Sequence, residues 1–122
     1  MIVFSNRRLG PAAELLVSVD VAQSMLRAIA DAARPEASAR WELELVRWLE
    51  ARAAATAAID VSDLAWTPTN FDRQRDFVVA AIARAAESSE HSRALARWAA
   101  MIEAHPRDSV QFGRLWSWQP TA

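Results

Sequence analysis

The chain has 122 residues, of which 52% are apolar and 24% are charged, and its formal net charge at neutral pH is −1. This length suits one domain with one hydrophobic core, and the composition differs from that of disordered chains, which are poor in apolar residues and strongly charged. The absence of cysteine excludes disulfides, thiolate nucleophiles and cysteine-bound zinc or iron–sulfur clusters.

Charge and hydropathy disfavour two further classes of protein. All 14 basic residues are arginine, but 15 acidic residues remove the positive surplus that non-specific nucleic-acid binding needs. No segment approaches the roughly 18 apolar residues of a membrane-spanning helix, and no signal-peptide pattern is present. We therefore expect a single helical domain over residues 1–122, soluble and cytoplasmic, without a membrane partner, and the charge disfavours a nucleic-acid partner.

The N-terminal third combines a short extended segment with a helix. Ile2 and Phe4 lie on one side of the extended segment. Residues 12–19 are interpreted as an early helical turn or a separate short helix, with a break near Ser18, because β-branched residues weaken the helical pattern there. Apolar residues at helical spacing then predict a helix over 20–33.

A second helix is predicted over 35–59. Pro35 suits the first helical position, and the alanines after Arg52 favour continuation of the helix. Its apolar face carries Trp41 and Trp48, and we expect both in the core together with Trp98 of a later helix.

Residues 60–70 have the composition of an irregular connection, which Trp66 is expected to fix to the core. A third helix should begin near Thr69 and end at Ser88, and a fourth should have Glu90 in its first turn. The predicted buried stripe of the third helix is Phe71, Val78, Ile82 and Ala85, and that of the fourth is Leu95, Trp98 and Ile102.

After Pro106 the pattern changes to the period of a strand, with Val110, Phe112, Trp116 and Trp118 alternating with other residues. The backbone groups of both chain ends need partners, so we predict a short two-stranded ribbon that joins the N- and C-terminal segments. The predicted fold is mainly α, an antiparallel bundle of about four helices with this ribbon.

The sequence contains no motif that specifies a reaction. Two glycines are too few for a phosphate-binding loop. The best metal candidate, Glu87 with Glu90 and His91, lies at a predicted helix junction and is interpreted as solvated. His105, near the end of the fourth helix, suits a partner for the helix dipole. We predict no catalytic, cofactor-binding or metal-binding residue.

Two acidic pairs have a spacing that acid–base catalysis can use, Asp60 with Asp63 and Asp72 with Asp76. Helix capping and solvated helix faces explain both pairs with fewer assumptions. Neither pair is therefore assigned to a reaction.

The six tryptophans are the unusual feature of the composition. Tryptophan and arginine are enriched at binding hot spots, which favours the C-terminal segment as a partner interface, although its tryptophans also suit a lid over the core. The predicted interface residues are Val110, Phe112, Arg114, Trp116 and Trp118.

The predicted function is that of a small non-catalytic protein-binding module of the bacterial inhibitor, immunity or adaptor type. Its expected partner is another protein or a second copy of the chain. Two alternatives stay open. One is a helical-bundle enzyme or binder of a small ligand or metal that uses polar groups of residues 60–70. The other is a nucleic-acid-binding regulator.

Overall fold

The computed structural model describes residues 2–10, 13–54, 58–64, 66–67 and 69–105. They contain four α-helices, α1 (Val19–Ala33), α2 (Arg40–Ala53), α3 (Phe71–Ser88) and α4 (Ser92–Glu103), and three strands, β1 (Ile2–Ser5), β2 (Glu14–Val17) and β3 (Ile59–Asp60). The predicted fold class, mainly α with a bundle of about four helices, is confirmed. In the described part of the chain, no helix is both long and apolar enough to cross a membrane.

The N-terminal strand is the centre of a three-stranded mixed sheet. β1 pairs antiparallel with β2, with Ile2 opposite Val17, and parallel with β3, with Phe4 opposite Ile59. These are the partners of β1 among the described residues. The other half of the predicted ribbon, residues 110–118, lies outside them.

The helical interpretation of residues 12–19 is wrong where they form β2. Leu15 and Val17 are buried there, whereas Glu14 and Leu16 are exposed. This alternation is that of a strand with one face on the core, and pairing with β1 satisfies backbone groups that a helical turn would leave open. The predicted break near Ser18 is confirmed, because the Ser18 side chain caps α1.

β2 forms one edge of the sheet, and neighbouring groups occupy parts of that edge. The backbone amide of Asn6 donates to the Ala13 carbonyl. Because hydrogen-bonded pairs alternate along an antiparallel ladder, the backbone N–H and C=O groups of Glu14 and Leu16 point away from β1. The Arg97 guanidinium donates to the Glu14 carbonyl at 3.0 Å. At the other end of β2, the Ser18 carbonyl accepts from Ala22 in the first turn of α1.

α2 is shorter at both ends than predicted. Arg34–Glu36 forms a separate 3-10 turn, and the Glu42 carboxylate accepts from the backbone amides of Ser38 and Ala39, which makes Arg40 the first helical residue. The helix ends at Ala53 and does not reach residue 59. Burial of Ile59 against Phe4 in the sheet outweighs the local helix propensity of the alanines.

The core lies between the sheet and the helices. α1 packs against both α2 and α3, and α3 packs against α4. The predicted stripe of α3 is buried at all four positions, Phe71, Val78, Ile82 and Ala85. Trp66 packs partly buried against the core, which confirms its predicted role.

Among the described residues Trp98 is the largest fully buried side chain, and its ring meets Phe4 edge-on with 4.9 Å between the ring centroids. Trp48 packs partly buried against the core, as Trp66 does. Trp41 is only partly buried, which corrects its placement in the core beside Trp98. Trp41 contacts Phe77 edge-on at its ring. The pattern of apolar residues identified the correct helix face but not the depth of these side chains.

We expect Trp98→Ala to lower the free energy of unfolding by about 3 to 5 kcal/mol, because it leaves a cavity against Phe4. Trp41→Ala is the matched control and should cost clearly less, since part of that ring already contacts water. Urea denaturation of both variants measures the difference. Equal losses would mean that Trp98 does not support the core.

Candidate functional site

The residues predicted as a partner interface, 110–118, lie outside the described part of the chain. Of the metal candidate, His91 Nε2 lies 3.6 Å from Glu90 Oε1, and Glu87 is exposed. Glu90 precedes α4 and is not in its first turn. Among the described residues, no group of three or more histidine, aspartate or glutamate side chains could hold a metal ion.

The acidic pair on α3 is solvated, as its interpretation required. Asp72 and Asp76 are both exposed, and Arg75 lies within ion-pair distance of each. The other acidic pair differs, because Asp60 is almost completely buried whereas Asp63 is exposed.

Four buried polar side chains gather where β1 and β3 end and α4 stops: Ser5, Asn6, Asp60 and His105. We call these four residues the polar cluster. They come from three distant parts of the sequence, and they are held in place by hydrogen bonds between those parts.

The Asp60 carboxylate is the acceptor at the centre of one half of the cluster. Its Oδ1 accepts from the Ser5 hydroxyl at 2.8 Å and from the Arg7 amide at 2.9 Å, while its Oδ2 accepts from the hydroxyl and amide of Ser62. Burial raises the pKa of Asp60, but the bonds from Ser62, Arg7 and Ser5 outweigh burial and lower it from 3.8 to about 2. Asp60 is therefore ionised and fully engaged at neutral pH.

The other half of the cluster joins β1 to α4 through Asn6. The Asn6 Nδ2 donates to the Met101 carbonyl at 2.8 Å, and its Oδ1 lies 3.3 Å from His105 Nδ1. A carbonyl can only accept, so the bond to Met101 fixes which way the amide points. The amide oxygen therefore faces the ring, and neutral His105 carries its proton on Nδ1.

His105 is a buried member of the cluster, which corrects its interpretation as a partner of the helix dipole. Its ring stacks on Trp66 at 5.6 Å and on Phe71 at 6.1 Å between centroids. Burial lowers the pKa of His105, the negative charge of Asp60 raises it, and the positive charge of Arg8 lowers it. The net direction is down, so the ring is held neutral at physiological pH.

The polar cluster contains side chains that acid–base catalysis uses, but its hydrogen bonds do not join a base to a nucleophile. A serine nucleophile needs a base on its hydroxyl, and the hydroxyls of Ser5 and Ser62 both donate to Asp60. With its low pKa, that carboxylate is a weak proton acceptor at neutral pH. The hydrogen bonds instead connect the end of β1 to β3 and to the end of α4.

Sequence reasoning found part of this arrangement. Asp60 was interpreted as a cap, and its Oδ2 does accept from the Ser62 amide at the start of the 3-10 turn Val61–Asp63. The bond from Ser5 spans 55 positions, and the contact between Asn6 and His105 spans 99. No local pattern indicates pairs so far apart. The signal in the sequence was two polar residues, Ser5 and Asn6, directly after the apolar residues Ile2, Val3 and Phe4.

No protein-family model matches the chain, no curated protein matches its sequence, and no solved structure matches its fold. A proposal of function therefore depends on the residues and contacts of this chain alone.

We expect Asp60→Asn to lower the free energy of unfolding by about 2 to 4 kcal/mol at neutral pH. The substituted amide keeps the size of the carboxylate but turns a donor towards the amide of Arg7 or Ser62. Asp76→Asn is the control and should change stability by less than about 0.5 kcal/mol, because Asp76 is exposed. Urea denaturation at neutral pH measures both variants. A loss for Asp60→Asn no larger than that for the control would mean that the hydrogen bonds of Asp60 do not stabilise the fold.

We also expect the stability difference between the wild type and Asp60→Asn to depend on pH in the acid range. The pKa of Asp60 is lower in the folded chain than its ordinary value, so its contribution is complete above pH 3.8 and disappears as the pH falls towards about 2. The shift corresponds to roughly 2 kcal/mol. The stability gap between the wild type and Asp60→Asn should therefore narrow over this range, as measured by urea denaturation in steps of pH. A constant gap would show that the Asp60 pKa is not lowered.

Proposed function

We propose that the chain is a small non-catalytic protein-binding module whose contact residues are Val110, Phe112, Arg114, Trp116 and Trp118. The observation that carries the proposal is the buried anchor at His105, which fixes the chain five positions before Val110. A binding segment that starts from a fixed point loses less conformational entropy when a partner orders it.

The chemistry of these five residues supports a protein partner. Aromatic side chains and arginine contribute most of the energy at protein interfaces, through buried area and planar hydrogen bonding. The described surface offers few competing apolar sites, since only Leu9, Leu16 and Leu43 are large exposed apolar residues there.

The alternative of a small-ligand binder needs free polar groups in the connection that contains Asp60 and Trp66. The Asp60 carboxylate accepts from Ser5, Arg7 and Ser62, as described above. Trp66 Nε1 donates to the Val61 carbonyl at 2.8 Å. These two groups bond to the protein itself, so neither the Asp60 carboxylate nor the Trp66 Nε1 is available to a ligand.

The partner is either a second copy of the chain or another protein. Self-association is the simpler case and can be measured without knowing a partner. A module that stays monomeric at high concentration has a different protein as its partner, and the same interface residues should then be needed to capture it.

We expect removal of the residues after Arg107 to abolish self-association or partner capture. The finer variant is Trp116→Ser with Trp118→Ser, and Trp41→Ser, a partly buried tryptophan on α2, is its matched control. Light scattering after size exclusion, over a series of concentrations, measures self-association, and pull-down from the producing cells measures capture. The proposal is wrong if the double variant assembles and captures the same proteins as the wild type.

A further inference from the structure

We propose that His105 is an acid-sensitive latch. When neutral, its ring fastens the end of α4 to Asn6; when protonated, it leaves the polar cluster and releases the end of α4. The latch concerns the free protein, and its use in controlling partner binding rests on the function proposed above.

The side-chain amide of Asn6 contacts both α4 and the His105 ring. Asn6 directly follows β1, and its side chain bonds the last turn of α4 at Met101 and the His105 ring at Nδ1. The His105 backbone amide donates to the Ile102 carbonyl at 3.1 Å, so the residue also closes the helix. Loss of the ring from the cluster would leave only the Met101 bond between Asn6 and α4.

The charged groups around the ring oppose one another. Asp60, from the end of β3, favours the protonated ring, but its charge is already shared with Arg7, whose Nε lies 3.4 Å from Oδ1. Arg8, in the 3-10 turn after β1, disfavours it. Glu103, the nearest acidic residue along the chain, is exposed. Of the described charged groups that shift the pKa of His105, the Asp60 carboxylate opposes the cost of burying a charge and Arg8 adds to that cost.

The aromatic neighbours add a smaller contribution. Stacking on Trp66 favours a positively charged imidazolium over a neutral ring, because the aromatic face attracts cations. Phe71 already has a cation over its face, because the Arg75 guanidinium lies 5.9 Å from that ring centroid. Arg75 therefore weakens the preference of this aromatic pocket for a second cation. Only 3% of His105 is exposed, and burial is the largest influence on its pKa, with a net downward shift.

Protonation has a defined site and direction. Nδ1 already holds a proton towards Asn6, so the added proton goes to Nε2. The pKa of His105 is lower in the folded chain than its ordinary value of 6.5, so the latch is complete above that pH and weakens as the pH falls below it. Between 6.5 and the lower folded pKa, each pH unit changes the opening equilibrium by up to about tenfold, and below the folded pKa the change levels off.

Two histidines make the latch measurable by proton NMR on the full chain, with His91→Asn assigning the two ring signals. We expect the His105 ring to titrate below pH 6.5. Amide exchange over residues 99–105 should rise between pH 7.5 and pH 5 relative to the chemical rate of exchange. A His105 ring that titrates at or above 6.5, or exchange that follows the chemical rate alone, would overturn the latch.

His105→Asn separates titration from hydrogen bonding, because its amide nitrogen can replace Nδ1 as the donor to Asn6. We expect this variant to lose the acid-dependent rise in exchange, while His91→Asn keeps it. The same rise in His105→Asn would assign the opening to another group and reject the latch. Self-association of the wild type at each pH tests the link to function separately. If exchange responds to acid while neither self-association nor partner capture occurs at any pH, the latch holds and the proposed function fails.

Discussion

The side-chain amide of Asn6 is the contact on which the arrangement of the chain ends depends. It joins residues 95 positions apart by a bond to the Met101 carbonyl, and it orients the His105 ring by its other atom. Asn6 is completely buried, and an unsatisfied buried amide costs about 1 to 3 kcal/mol per lost partner. Its two bonds therefore fix the end of α4 at the end of β1.

Two consecutive residues at the end of β1, Ser5 and Asn6, thus bond to two different elements. The Ser5 side chain bonds Asp60 of β3, and the next side chain, Asn6, bonds α4. Apolar burial, with Phe4 against Trp98 in the adjacent layer, supplies the bulk of the stabilisation. The polar bonds add direction, because each has one partner and one geometry, whereas apolar contacts tolerate sliding.

Sequence periodicity was sufficient for the parts of the fold that depend on local contacts. The stripe of α3, the break at Ser18 and the packing of Trp66 followed from spacing and capping. β2 and β3 could not be predicted from local spacing, since each forms by pairing with β1. In the sequence alone, Ile59 looks like the end of a helix, because its partner in the sheet is distant. The polar cluster was missed for the same reason, as was the depth of Trp41. The predicted interface at 110–118 stays a prediction.

The outer edge of β2 also determines whether a strand of another molecule can pair with this sheet. An approaching strand needs outward-facing carbonyls and amides in sequence, and here the Arg97 side chain holds the Glu14 carbonyl while α1 holds that of Ser18. Leu16, 59% exposed, is the position between them. A foreign strand would find space for about one residue pair, too little for a stable ladder. A leucine on the rim of an open sheet is thereby kept from seeding edge-to-edge aggregation.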